Sequence, residues 1–92
     1  GDRTDERLWR FPLDDEYFQL VKGHDSDLRN SAGLPLATSI MGGIFLKQFV
    51  MNDIPWAHLD IAGMATVQKT ALGPKKATGF GVRLVLDYLE RV

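Results

Sequence analysis

The sequence predicts an α/β layered fold, ordered helix, helix, strand, helix, with most strands of its sheet lying outside the 92 residues. Three observations predict it. Residues 36–51 are apolar on nearly every side at helical spacing, which marks a buried helix. Residues 56–62 alternate small or apolar residues with polar ones, as a strand does, and no second segment matches them in strength. Residues 79–92 carry an amphipathic helical stripe.

The elements follow in chain order. Residues 1–8 read as the tail of a helix. Trp9-Arg10-Phe11-Pro12-Leu13 reads as extended chain, because the residue before a proline avoids helical angles. A short helix is expected over 14–22, with Asp14 as N-cap and Asp15 and Glu16 favoured by the dipole of the first turn. Tyr17, Phe18, Leu20 and Val21 make its apolar face, and Lys22 and Gly23 stop it. Residues 24–34, dense in Asp, Asn, Ser and Gly, read as loop. In the buried helix only Lys47 and Gln48 are strongly polar, and Ala37, Ser39, Gly42 and Gly43 let neighbouring backbone approach. Its interior glycines cost about 1 kcal/mol each relative to alanine, which surrounding structure must offset. Asn52-Asp53-Ile54-Pro55 turns the chain into the strand 56–62, which Gly63 ends.

A strand must pair its backbone N–H and C=O groups with other strands, so the partners of 56–62 are expected outside this chain. Residues 64–77 read as a long loop, only weakly strand-like over 64–70, with a turn at Gly73-Pro74-Lys75-Lys76. Thr78 caps the last helix. Val82, Val85, Leu86, Leu89 and Val92 form its buried stripe, and Arg83, Asp87, Glu90 and Arg91 face water.

Composition narrows the function classes. The chain is 45% hydrophobic and 25% charged, which is ordinary for a globular domain. Eleven Lys and Arg against twelve Asp and Glu provide no basic stripe for a phosphate backbone, so no nucleic-acid partner is expected. The absence of cysteine removes disulfides, thiolate zinc sites and a cysteine nucleophile. No apolar run reaches the roughly 20 residues that span a bilayer, so no membrane partner is expected either. The charged start, without Met or an apolar signal core, reads as a cut or processed piece.

The residues alone offer weak chemistry. His58 and Asp60, two apart on a strand, share a face and could meet one metal ion or form a structural hydrogen bond. A catalytic zinc needs a third ligand. His24-Asp25-Ser26-Asp27 lacks the further ligands and glycine of a calcium loop and reads as solvated chain. Lys75-Lys76 reads as plain surface. Thr78-Gly79-Phe80-Gly81 lacks the Gly-Lys-Ser/Thr ending of a phosphate loop, and its glycines read as close-packing positions at a helix start. Ser26, Ser31 and Ser39 have no nucleophile-elbow motif.

Trp56-Ala57-His58-Leu59-Asp60-Ile61-Ala62-Gly63, with Ala77-Thr78-Gly79-Phe80-Gly81-Val82-Arg83 after it, resembles the C-terminal end of the leucyl aminopeptidase (cytosol aminopeptidase) family. Trp9-Arg10-Phe11-Pro12-Leu13 is similar to the family's Trp-Arg-Leu-Pro-Leu, Ser26-Asp27-Leu28-Arg29-Asn30 to its Ala-Asp-Leu-Lys-Asn, and Phe45-Leu46-Lys47-Gln48-Phe49-Val50 to its Phe-Leu-Lys-Glu-Phe-Val. Five collinear matches cover essentially the whole chain.

The resemblance implies an exopeptidase that removes N-terminal residues from peptides. It implies an α/β/α sandwich around a mixed sheet, a cytoplasmic location and a homo-oligomer, usually a hexamer. The parent enzyme would use two divalent metals (zinc, manganese or magnesium) to activate water. The family's lysine, aspartate and glutamate ligands and its catalytic arginine match no position here. No catalytic residue and no metal ligand is therefore carried over, and the segment is expected to bind no metal and to be inactive alone. Pocket positions do carry over, onto Ala62, Gly63, Met64 and Ala65, and onto Ser31 in a loop where the family often has an apolar residue. Asn30-Ser31-Ala32-Gly33-Leu34-Pro35 departs from the usual Asn-Val-Gly-Gly-Arg-Pro.

Residues 1–92 are thus expected to be one C-terminal segment of an aminopeptidase catalytic domain, with the remainder of that domain and peptide substrates as partners. The alternatives are a self-associating structural or interaction module derived from the family, and a small metal-binding protein using His58 and Asp60.

Overall fold

Tyr17, Phe18 and Leu20 lie on a 3-10 helix, Asp15–Leu20, rather than on the longer helix expected over 14–22. Tyr17 N–H donates to the Asp14 carbonyl and Val21 N–H to the Phe18 carbonyl, the i to i+3 pattern of short helices. Asp14 makes no side-chain cap bond. The computed structural model describes residues 1–31, 33, 35, 37–67 and 76–92. They fall into two compact units, Arg10–Asp60 and a unit that joins Gly1–Trp9 to Ile61–Val92.

The Arg10–Asp60 unit is built on α1, Thr38–Lys47, which packs against the 3-10 helix. Val21, Met41 and Ile44 are its fully buried core, ringed by Leu13, Tyr17, Phe18, Leu20, Leu28, Ile40 and Phe45. After the 3-10 helix the chain doubles back. Arg29 N–H donates to the Val21 carbonyl and Lys22 bridges Leu28, which closes the polar loop between them. α1 is shorter than the expected 36–51 and is buried on the face of Met41, Gly43 and Ile44, while Leu46 is exposed. Among the described residues of this unit, one short helix, Asp15–Leu20, covers it.

The segment 56–62 enters no strand among the described residues, which corrects the strand expectation. A strand is defined by its ladder to another strand, and the neighbour of residues 56–60 is the helix α1. The period-two reading survives in part. His58 lies 3.7 Å from where a Cβ on Gly42 would stand, and the Ser39 hydroxyl donates to the Asp60 carboxylate, so both residues turn to α1. Ser39, Gly42 and Gly43 sit three and four apart on one helix face. At Gly43 the close neighbour is the Leu13 side chain, 3.1 Å from a Cβ built there, so the small residues admit side chains rather than backbone.

In the other unit the chain starts with a single 3-10 turn, Asp2–Thr4, where a helix tail was expected. The expected loop 64–77 contains an antiparallel pair instead. β1, Thr66–Val67, pairs with β2, Lys76–Ala77, in the register Thr66 to Ala77 and Val67 to Lys76. Of the expected turn, Gly73, Pro74 and Lys75 lie outside the described residues, and Lys76 belongs to β2. α2, Val82–Leu89, starts from Gly81 at φ 95°, not from Thr78. Its expected buried stripe is exposed: Val82, Val85, Leu86 and Leu89 all face out, as does Val92 beyond it. No described helix is long and apolar enough to cross a membrane.

Candidate functional site

The sequence expectation centred on Ala62, Gly63, Met64 and Ala65. These four sit together on one turn in the unit that joins Gly1–Trp9 to Ile61–Val92. The Ile61 carbonyl accepts N–H groups from both Met64 and Ala65, which winds the chain back on itself. Met64 is 53% exposed, and a Cβ on Gly63 would meet nothing within 4 Å. The turn therefore presents an apolar, adaptable side chain at the surface. Ser31 belongs to the other unit, where it is exposed and its hydroxyl accepts the Gly33 N–H.

Two residues that sequence reasoning did not assign to the site line a concavity beside this turn. The Thr78 hydroxyl donates to the Met64 carbonyl at 2.5 Å, and Thr78 N–H donates to the Ala65 carbonyl at 2.9 Å. Its oxygen in turn accepts Phe80 N–H at 3.1 Å. The sequence predicts Thr78 as a helix cap, and its side chain does bond backbone there, but three residues before the N-cap Gly81.

Glu6 is the second. It is 3% exposed, the one buried charged residue among those described. Its Oε2 accepts the Leu84 N–H of α2 at 2.7 Å, and its Oε1 lies 3.6 Å from Arg83 Nε. A carboxylate in the first turn of a helix meets both the orphan N–H groups and the positive end of the dipole. Nothing local distinguishes Glu6 from the charged residues around it, because Leu84, whose N–H it accepts, is 78 positions away. Glu6, Met64, Thr78, Phe80 and Arg83 line a concavity of about 400 Å³.

The metal-pair alternative meets a different geometry. His58 stacks on Trp56, ring centroids 6.4 Å apart and nearly parallel, while Asp60 accepts the Ser39 hydroxyl. Among the described residues no three His, Cys, Asp or Glu side chains come together, so these residues do not fit a divalent-metal centre of their own.

The turn at residues 62–65, the buried Glu6 and α2 belong to one unit of the chain. Comparison with known proteins gives the chain its class. Residues 1–86 match the cytosol aminopeptidase family, catalytic domain, and the chain belongs to that family of peptidases. It is similar to a protein of Syntrophotalea carbinolica named "Probable cytosol aminopeptidase", 48% identical over 99% of this chain and 18% of that one. Proteins of the same name from Rickettsia rickettsii and Rickettsia conorii are 44% and 42% identical over 98% of this chain, again 18% of theirs. The chain thus spans 18% of the length of the curated relatives it matches. No solved structure matches it at a significant level.

Proposed function

We propose that this chain is the C-terminal segment of the catalytic domain of a two-metal aminopeptidase, and that it supplies substrate-pocket wall and scaffold. The observation that carries the reading is the family match over residues 1–86 by a chain that corresponds to 18% of its relatives. The turn of Ala62, Gly63, Met64 and Ala65 lines the pocket for the N-terminal side chain of a peptide, and the loop at Ser31 lines the pocket for the leaving residue. The metals, zinc, manganese or magnesium, polarise the scissile carbonyl and activate water when bound, and are held by residues other than those described here. The parent protein acts on peptides in the cytoplasm as a homo-oligomer, usually a hexamer. α1 is then an inner helix of an α/β/α sandwich whose strands cover it.

The purified 92-residue chain, assayed with a leucyl amide and manganese, is expected to release nothing above blank. Turnover that a chelator abolishes would overturn the scaffold reading. The positive arm replaces the matching 18% of the Syntrophotalea carbinolica relative with this chain. That chimaera is expected to cleave the leucyl amide in the presence of manganese.

A second reading, a self-associating module derived from the family, is favoured by one observation. The apolar stripe of α2 is exposed, with Val82 67% and Leu89 59% accessible.

A further inference from the structure

The buried carboxylate of Glu6 and the exposed turn at Met64 are linked by a continuous set of bonds. Glu6 Oε2 holds Leu84 N–H in the first turn of α2. That turn begins at Gly81, and Val85 N–H returns to the Gly81 carbonyl. Val82 N–H bonds the Gly79 carbonyl, so the chain from 79 to 82 is wound tightly against the helix start. Gly79 and Gly81, at φ 68° and 95°, take the left-handed angles this winding needs. Thr78 stands at its near end and grips the carbonyls of both Met64 and Ala65. No other described hydrogen bond between side chain and backbone reaches Met64 from outside its own turn.

We propose that Glu6 is a positioning residue for the substrate pocket: by fixing the first turn of α2 it sets Thr78, and through Thr78 the placement of Met64 and Ala65. This rests on the reading that the turn lines the pocket. Glu6 itself touches no substrate. Its burial makes the device stiff, because a charge at 3% exposure cannot exchange its Leu84 partner for water at low cost. The N-terminal segment, far away in sequence, is thereby a determinant of side-chain selectivity.

Two measurements test it together. In the 92-residue chain, the methyl resonance of ¹³C-labelled Met64 is expected to shift in Glu6→Leu and in Thr78→Val. It is expected to stay in Glu6→Gln and Thr78→Ser, which keep an acceptor for Leu84 and a hydroxyl for Met64. It is also expected to stay in Arg3→Ala, which removes only the exposed pair of Arg3 with Asp87. In the chimaera described above, Glu6→Leu and Thr78→Val are expected to raise KM for a leucyl amide about tenfold with kcat and the alanyl amide little changed. Loss of folded enzyme would lower kcat for both substrates alike, so the split separates positioning from stability. A Met64 signal unmoved by Glu6→Leu overturns the inference and leaves the aminopeptidase reading intact. A moved signal with unchanged leucyl over alanyl selectivity overturns the role in specificity. A chimaera without turnover before any substitution overturns the pocket reading and the inference with it.

Discussion

Single residues divide sharply between those that hold a unit together and those that lie free on it. Ile44 is 2% exposed, and its side chain fills the space between α1 and the 3-10 helix Asp15–Leu20. Ile44→Ala removes packed methylene groups and leaves a cavity, so it is expected to cost about 3 kcal/mol. Val82→Ala, on the exposed stripe of α2, is expected to stay within about 0.5 kcal/mol. Urea unfolding followed by circular dichroism checks the pair, and equal losses would contradict the placement of the core. Ile44 was legible in the sequence as one of many apolar residues. Its selection over Leu46, two positions on, depends on which face of α1 meets Tyr17 and Phe18. Glu6 shows the opposite limit: no local pattern points to a carboxylate whose partner is Leu84.

At the scale of elements, the helices were legible and their margins were not. α1 and α2 fall inside the expected segments, because helical periodicity survives in the sequence alone. The end of a helix depends on caps, and here Gly81 at φ 95° starts α2 where Thr78 had been expected to. Gly81→Ala forces a Cβ into a left-handed conformation and is expected to cost about 1–2 kcal/mol. Gly63→Ala, where the backbone has no such angle and the Cβ meets open space, is expected to stay within about 0.5 kcal/mol. Thermal unfolding of both variants decides this, and a neutral Gly81→Ala would mean that α2 starts elsewhere. β1 lies within the stretch 64–70 that reads only weakly as strand, and β2 within the expected loop, because two-residue strands carry too little alternation to stand out.

For the whole molecule, the balance lies in what is left uncovered. The core of three fully buried apolar residues among those described is small beside the exposed set that includes Trp9, Phe49, Met51 and Leu86. A chain with so much accessible apolar surface reduces it by association. Sedimentation velocity across a hundredfold concentration range is expected to show mass rising with concentration. A single monomeric species throughout would contradict an open apolar surface. Within a larger catalytic domain the same surface would be covered, and the chimaera is expected to sediment with one mass.

The sequence by itself determined the family and the two helices, because each is written in contiguous residues: the runs around Trp9, Leu28, Phe45, His58 and Gly79 keep their order and spacing. Tertiary structure alone decided that residues 56–60 lie against α1 instead of in a ladder, that α2 shows its apolar stripe to solvent, and that Glu6 is buried under the first turn of α2. Those three outcomes depend on which distant segments meet, and a contact between positions 78 apart leaves no periodic trace in the chain.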